Sequence, residues 1–458
     1  MCGFIFYQNS GSTIRKNSCF YDSSKLLYSR GPDFQKYEIS KKRKIFHSRL
    51  KIIDLHKRSS QPMKRNGYSI VYNGEIYNYI ELKKKLKKFF IFSTNSDTEV
   101  LLYAFLKWGK KMFDKIEGMY SFVIYKDEDS YFFAARDTFG QKPLYYSKNN
   151  SEIFVSSEIK PIISFLKPKI TFEEKEIYKY LNHNYFADDK YTFFKNIFQL
   201  PPGSYFEFKN QKFKLKRISL NKTQYKNTKN NIKLNLIKTL KQNLVSDVEV
   251  ALLYSGGIDS FSIYDLLPKS IQKKIKLFNL SFENFENKVS KINKKNYYSF
   301  TFRKKNFFSS LNSCSKICES PPLSLFTLGY TKLFSSIKKK KIKVVLNGQG
   351  IDENFGGYRN LFTNWKSKLI YHPDGSILAE KNKVYKKNFN FKIKKKIKDR
   401  KLQFLKKIKI PKNMTQIDKL SMKYSLECRS PYLSNLLYNS TKNLKEKNMF
   451  NKSMHKYL

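Results

Sequence analysis

Acidic residues are scarce in this chain: 37 Asp and Glu stand against 90 Lys and Arg, a formal net charge of +53. A charge of that size normally points to nucleic acid or an anionic membrane surface as partner. Here the Lys residues run along the whole length, Arg is sparse, and Lys, Asn, Ile, Phe and Tyr are in joint excess, as in an AT-rich coding sequence. No RNP, zinc-finger or helix-turn-helix pattern accompanies the charge, so nucleic acid is not the expected partner. Cysteine is sparse as well. Cys2, Cys19, Cys314, Cys318 and Cys428 are odd in number and contain no CxxC pair, which fits neither a disulfide framework nor a zinc site and suits a reducing cytoplasm. Long apolar runs are missing: none nears the ~18 residues a membrane span requires. The N-terminus has no basic residue ahead of its short apolar run and no small-residue cleavage site, so neither membrane insertion nor export is expected.

What is present is enough for two or three folded domains: 458 residues, 40% hydrophobic and 16% aromatic. Residues 1–207 alternate short β-type runs (GFIFY, YSIVYNGEIY, YSFVIY, YFFAAR, EIFVSS) with few helical patterns, the clearest being Thr98 to Trp108. Gly and Pro punctuate the end of this region at Leu200 to Phe206, and the Lys- and Asn-rich stretch 208–230 reads as a linker. From 231 to 458 an amphipathic helix is followed by a buried-type strand (VEVALLYS), a Gly-rich turn, a helix, and the further strands KLFNLSF and KVVLNG. Strands alternating with helices predict a doubly wound parallel sheet, whose ligands sit at the carboxyl ends of the strands. The segment Tyr385 to Lys412 reads helical and offers no recognisable chemistry.

The most reactive feature is Cys2. Removal of Met1 would leave a thiol and a free α-amine on one residue, and the amine's ordinary pKa of about 7.7 to 8.0 lets it accept the thiol proton. Met-Cys-Gly alone is a weak signal. It gains weight from seven blocks in order: Met1-Cys2-Gly3, Arg30-Gly31-Pro32-Asp33, Arg49 to Leu55, Gln61-Pro62-Met63, Asn73-Gly74-Glu75-Ile76-Tyr77-Asn78, Ser96-Asp97-Thr98-Glu99, and Ala135 to Tyr146. Together they resemble the class II glutamine amidotransferases, and the whole chain resembles glutamine-hydrolysing asparagine synthetase. That resemblance implies an α+β N-terminal-nucleophile αββα sandwich ahead of an α/β doubly wound parallel-sheet domain. It also implies Cys2 as nucleophile, the Asn73 side chain and Gly74 N–H as oxyanion hole, Arg49 on the glutamine carboxylate, and Asp97 with Glu75 on its α-amine. Read as local structure alone, Asn-Gly-Glu is a tight hairpin turn.

In the second half, Leu252-Leu253-Tyr254-Ser255-Gly256-Gly257-Ile258-Asp259-Ser260 places a strand, a Ser-Gly-Gly turn and a helix start in succession, so that backbone N–H groups converge on an anion. It is not a Walker A loop. It resembles the PP-loop of ATP pyrophosphatases, and the block Val344 to Tyr358 resembles the family's second glycine turn with its Asp-Glu pair. The resemblance implies ATP bound by Leu253, Ser255, Gly256, Gly257, Asp259, Ser260, Leu280 and Gly348, and Mg²⁺ held by Asp259 and Asp352. The block Ser421 to Ser434 resembles SMxxSxExRxPFLD. Departures are Gln349, where many synthetases have Glu, Ser434 in place of Asp, and a chain that stops at His455-Lys456-Tyr457-Leu458, before the family's RxKxGF-type motif.

The expected activity is hydrolysis of L-glutamine and ATP-dependent amidation of L-aspartate. The alternatives are another carboxylate acceptor, a sugar or peptide in a surface-polymer or natural-product pathway, or a glutamine- or nucleotide-binding homologue impaired in synthesis. A homodimer is left open.

Overall fold

The apolar runs of the first region are strands in the computed structural model of the protein, which describes residues 2–11, 15–166, 170–183, 190–209, 212–219, 228–284, 294–357, 369–371, 377–380, 401–444, 450–451 and 454–455. In chain order these are β1 (Cys2–Asn9), β2 (Phe34–Ile39), β3 (Arg43–Arg49), β4 (Met63–Arg65), β5 (Tyr68–Ile76) and β6 (Gly118–Lys126). They continue as β7 (Phe132–Arg136), β8 (Tyr145–Lys148), β9 (Glu152–Ser156), β10 (Phe198–Gln199), β11 (Ser204–Lys209) and β12 (Lys212–Arg217). Two six-stranded antiparallel sheets result, ordered β10-β8-β9-β1-β3-β2 and β12-β11-β7-β6-β5-β4.

Side-chain alternation explains why β1 reads as one apolar run. Phe4 and Phe6 meet Val71, Val123 and Phe132 of the other sheet, while Ile5 and Tyr7 face the helical layer of Asn17–Lys25 and Ile159–Leu166. On the far side, helices Tyr79–Leu86 and Asp97–Trp108 cover Ile70, Tyr72 and Ile76 of β5. The order is therefore helix, sheet, sheet, helix, the expected αββα sandwich. By the same alternation Cys2 shares the inner face of β1 with Phe4, and Asn73 and Glu75 share that of β5 with Val71.

Two local readings are corrected. Asn73-Gly74-Glu75 is not a hairpin turn: it lies inside β5, paired with Ser121, Tyr120 and Met119 of β6. The linker read from 208 begins as sheet, because residues 208 and 209 complete β11 and β12 pairs with it through Arg217. Phe213 and Leu215 pack on the sandwich core while the alternating Lys212, Lys214 and Lys216 face water, an alternation that composition alone disguised as linker.

Beyond helix Lys229–Asn243 lies a wholly parallel sheet: β13 (Val250–Leu253), β14 (Leu277–Phe282), β15 (Tyr297–Phe302) and β16 (Val344–Leu346). After the small hairpin β17 (Leu369–Tyr371) and β18 (Ile377–Glu380), β19 (Glu427–Arg429) completes it, in the order β15-β14-β13-β16-β19. Helices Phe307–Cys318, Leu325–Lys339 and Ile410–Lys423 fill one face; Lys229–Asn243, Ile258–Leu266 and Asn435–Thr441 fill the other. Chain order runs outward from β13 to β14 and β15, then returns to β16 on its opposite side. The carboxyl ends of β13 and β16 thus flank the switch point where such sheets bind ligands.

The two units share a buried boundary. Leu50, Ile52, Tyr77 and Met119 of the first meet Val344 and Met422 of the second. Beside them Arg30 Nη2 donates to Asp418 Oδ2 at 2.8 Å and its Nη1 to Glu158 Oε1 at 3.0 Å, while Lys142 Nζ donates to Asp418 Oδ1 at 3.1 Å. Arg30, Lys142 and Asp418 are all 1% exposed or less. No helix among the described residues is long and apolar enough to cross a membrane.

Candidate active sites

Cys2 opens β1 opposite Arg49 of β3 and is 7% exposed. Its backbone N–H donates to Asn73 Oδ1 at 3.1 Å. That bond orients the amide, leaving Asn73 Nδ2 buried with no hydrogen-bond partner among the described residues. Glycine is required next door, since a Cβ on Gly74 would lie 2.1 Å from the Met119 carbonyl oxygen. Burial pushes the Cys2 thiol up, so the resting group is neutral and attack needs a base.

One pocket collects Cys2, Arg49, Gly74, Glu75 and Asp97, four of them expected around a glutamine and Cys2 as its nucleophile. Asp97 heads the helix Asp97–Trp108; its Oδ2 accepts from the Tyr72 hydroxyl at 2.9 Å and the Ile76 N–H at 3.0 Å. Burial raises its carboxyl above the ordinary range. Glu75 is pushed further, by burial first and by the Asp97 charge next. Arg49 ends β3 and its guanidinium is held by the loop that follows: Nη1 donates to the His56 carbonyl at 2.7 Å, and Nη2 donates to the carbonyls of Ile53 and Asp54. Sequence reasoning assigned nothing to Tyr72 or Gln61, yet Gln61 Oε1 accepts from the Tyr72 N–H at 2.6 Å and its Nε2 donates to Thr98 Oγ1 at 3.1 Å. Their place inside or beside the seven ordered blocks was the available signal. Arg429, 3.4 Å from Glu75, was also missed.

The second cavity opens at the carboxyl ends of β13 and β16. Leu253, Ser255, Asp259, Ser260, Leu280, Gly348 and Asp352 line it together. Gly256 and Gly257 form the turn between β13 and helix Ile258–Leu266 without joining that lining; Gly256 has φ +79°, a conformation glycine favours. The turn is pinned by Ser260 Oγ, which accepts from the Ser255 N–H at 3.1 Å and donates to the Gly257 carbonyl at 3.1 Å. Gly348 packs on Asp259, where an added Cβ would stand 3.3 Å from the Asp259 Cβ. Asn347 Oδ1 accepts from the Gln349 N–H at 3.0 Å and the Ser430 hydroxyl at 2.8 Å. The side chain of Gln349 lines the cavity and accepts from Asn413 Nδ2 at 3.5 Å.

Two sequence expectations change here. Residues 385–400 of the segment that offered no chemistry lie outside the described residues, but its end does not: Lys409 and Lys412 line the cavity, at and just inside the start of helix Ile410–Lys423. Ser434, which departs from the family pattern, is the N-cap of helix Asn435–Thr441, its Oγ accepting from the Leu437 N–H at 3.0 Å. Asp and Ser serve that position about equally, so the replacement is accounted for locally. For a divalent cation, Asp259 and Asp352 offer hard oxygen donors in one cavity, and no cluster of three or more His, Cys, Asp or Glu occurs among the described residues. A two-carboxylate set completed by phosphate oxygens and water is what Mg²⁺ takes at nucleotide sites, so the residues fit it.

The sandwich with Cys2 at its edge and the parallel sheet with a Ser-Gly-Gly turn define the class: an αββα sandwich of the amidotransferase type joined to a parallel-sheet domain of the synthetase type. A family model of the glutamine amidotransferase domain matches residues 1–219, and one of asparagine synthase matches residues 231–458. The chain belongs to the glutamine-hydrolysing asparagine synthetase family. It is 28% identical over 379 residues to asparagine synthetase [glutamine-hydrolyzing] 1 of Bacillus subtilis, covering 78% of this chain and 59% of that one. It is 28% identical over 415 residues to a putative asparagine synthetase [glutamine-hydrolyzing] 2 of Methanocaldococcus jannaschii, covering 81% and 78%. It is 26% identical over 386 residues to the amidase chry2 of Gibberella zeae, covering 77% and 56%. The chain thus spans little more than half the length of the Bacillus and Gibberella relatives.

Proposed function

We propose that the chain hydrolyses glutamine to glutamate and ammonia at Cys2 and uses ATP to adenylate and amidate L-aspartate, giving asparagine, AMP and pyrophosphate. The observation that carries this reading is the single pocket holding Cys2, Arg49, Gly74, Glu75 and Asp97, with the orphaned Asn73 Nδ2 beside it. Once Met1 is removed, the Cys2 α-amine takes the thiol proton as sulfur adds to the glutamine δ-carbonyl, and returns it to the departing ammonia. Asn73 Nδ2 and the Gly74 N–H donate to the oxyanion. Water then hydrolyses the thioester. Arg49 binds the α-carboxylate and Asp97 with Glu75 the α-ammonium, which suits a zwitterionic amino acid.

In the second cavity the Ser255–Ser260 turn and the N-terminus of helix Ile258–Leu266 hold the pyrophosphate portion of ATP. The acceptor carboxylate attacks the α-phosphorus, pyrophosphate leaves, and ammonia displaces AMP from the acyl-adenylate. Mg²⁺ held by Asp259 and Asp352 would offset the charge of the leaving pyrophosphate.

The test incubates the protein with Asp, Gln, ATP and Mg²⁺ and measures asparagine, glutamate and AMP, alongside intact-mass detection of one diazo-oxo-norleucine adduct at Cys2. Absence of both glutamate release and adduct rejects the reading. Pyrophosphate release with another acid but not with Asp would transfer the proposal to a second acceptor, a reading favoured by similarity to a relative named as an amidase.

A further inference from the structure

The Cys2 pocket is not served by the first domain alone. Glu75, on β5, is 3% exposed, and its Oε2 lies 3.4 Å from Nη2 of Arg429, a fully buried residue of β19 in the parallel sheet. The rest of that guanidinium is committed to its own domain. Nε donates to Glu427 Oε1 at 2.5 Å, and Nη1 donates to the carbonyls of Asn243 and Val245, both at 2.7 Å. Anchoring Nε and Nη1 fixes the plane of the group and aims Nη2 across the boundary. Among the described residues neither Nη2 nor Glu75 Oε1 has a hydrogen-bond partner. The Glu75 carboxylate is therefore held by Coulomb attraction at one oxygen, in surroundings where salt screens little, with its second oxygen uncommitted. Asp97 differs, because Tyr72 and Ile76, which donate to it, belong to its own domain.

We infer that Arg429 is a positioning residue of the glutamine site: it reaches from the synthetase domain to hold Glu75 with one oxygen available to the α-ammonium group of glutamine. The inference rests on the reading of the Cys2 pocket as that site. It makes the amidotransferase site incomplete without the second domain. Burial and the charges of Asp97 and Glu427 press Glu75 toward its neutral form, and Arg429 opposes them. A neutral Glu75 would lose most of its attraction for an ammonium group.

The experiment uses the full chain and compares kcat/KM for glutamine with that for glutaramate, the same γ-amide without the α-amine, by ammonia release. In Arg429→Met the preference for glutamine should fall about tenfold or more. Arg429→Gln should fall in the same direction, and serves if the Met variant does not fold. Glu75→Gln should lower the preference by itself, and adding Arg429→Met should then change it no further. A general loss of packing lowers both rates together and leaves their ratio intact, because the ratio is independent of the active fraction. An unchanged preference in the Arg429 variants overturns the inference. If the wild type releases no ammonia from glutamine, the glutamine-site reading itself fails and the inference falls with it; a wild type that does so isolates the test of Arg429.

Discussion

Replacing Asn73 tests the geometry of the first site most directly, because one side chain does two separable things there. Its Oδ1 accepts from the Cys2 N–H at 3.1 Å, and its Nδ2, buried and unpartnered among the described residues, is the candidate oxyanion donor. Asn73→Ala removes both, whereas Asn73→Asp keeps an acceptor beside Cys2 and removes only the donor. A lost oxyanion donor costs about 3 to 4 kcal/mol of transition-state stabilisation, or roughly 100- to 1,000-fold in kcat. Both variants should lose at least that much in glutaminase kcat. Asn73→Asp should lose more, because it also sets a new buried negative charge near Glu75 and Asp97, where the oxyanion forms. The glutamine KM of Asn73→Ala should move far less, because the donor acts on charge that develops only in the transition state. The assay is glutamate release under saturating glutamine. Ammonia-dependent AMP formation in the same samples serves as a folding control, since the second cavity does not include Asn73. A kcat for Asn73→Ala within about threefold of wild type would refute the assignment of Nδ2, because an oriented donor in a buried site cannot be worth so little.

The domain boundary makes its own prediction. Asp418→Asn leaves the buried Arg30 and Lys142 short of an anion and should cost about 3 to 5 kcal/mol, read as a lower thermal midpoint of the full chain. These cations hold the Asp418 carboxyl below its ordinary range against the opposing effect of burial. Its stabilisation is therefore complete above the unfolded carboxyl value of about 3.9 and is lost as pH falls through the lower folded value. The difference in midpoint between wild type and Asp418→Asn should shrink as pH is taken from 7 to below 4; a difference independent of pH contradicts the ion-pair account. At the cap of helix Asn435–Thr441, Ser434→Asp should preserve thermal stability and AMP formation, whereas Ser434→Ala should cost about 1 kcal/mol. Loss of AMP formation in Ser434→Asp, with the midpoint unchanged, would show that Ser434 does more than cap.

Much of both candidate sites was legible because the chemistry lies in short blocks. Cys2 and the Ser255–Ser260 turn each sit at the end of a strand whose apolar pattern is visible, so local spacing already decides which backbone groups and side chains point outward. The errors were also local. The alternating lysines of β12 resembled a linker because only packing against the sandwich shows that Phe213 and Leu215 have a face to cover. Asn73-Gly74-Glu75 carried a turn signature inside the β-type run YSIVYNGEIY, and its pairing with β6 across some 45 residues decides for the strand.

Other relationships had no signature at all. Arg30 meets Asp418 across 388 positions, Glu75 faces Arg429 from another domain, and Lys409 and Lys412 enter a cavity built by strands more than 50 residues before them. Such contacts depend on how two finished domains bury their surfaces against each other, and no periodicity in either segment encodes that. A sheet-rich first region, the parallel sheet and the glycine turn could be read from spacing and backbone chemistry, whereas the αββα arrangement and the companions of Cys2 came from the resemblance of the ordered blocks to the amidotransferase family. Only packing in three dimensions settled which charges share the boundary, that Ser434 is a cap, and that Glu75 of the Cys2 pocket faces an arginine of the neighbouring domain, because a buried charge is placed by whichever distant partner lowers its cost of desolvation.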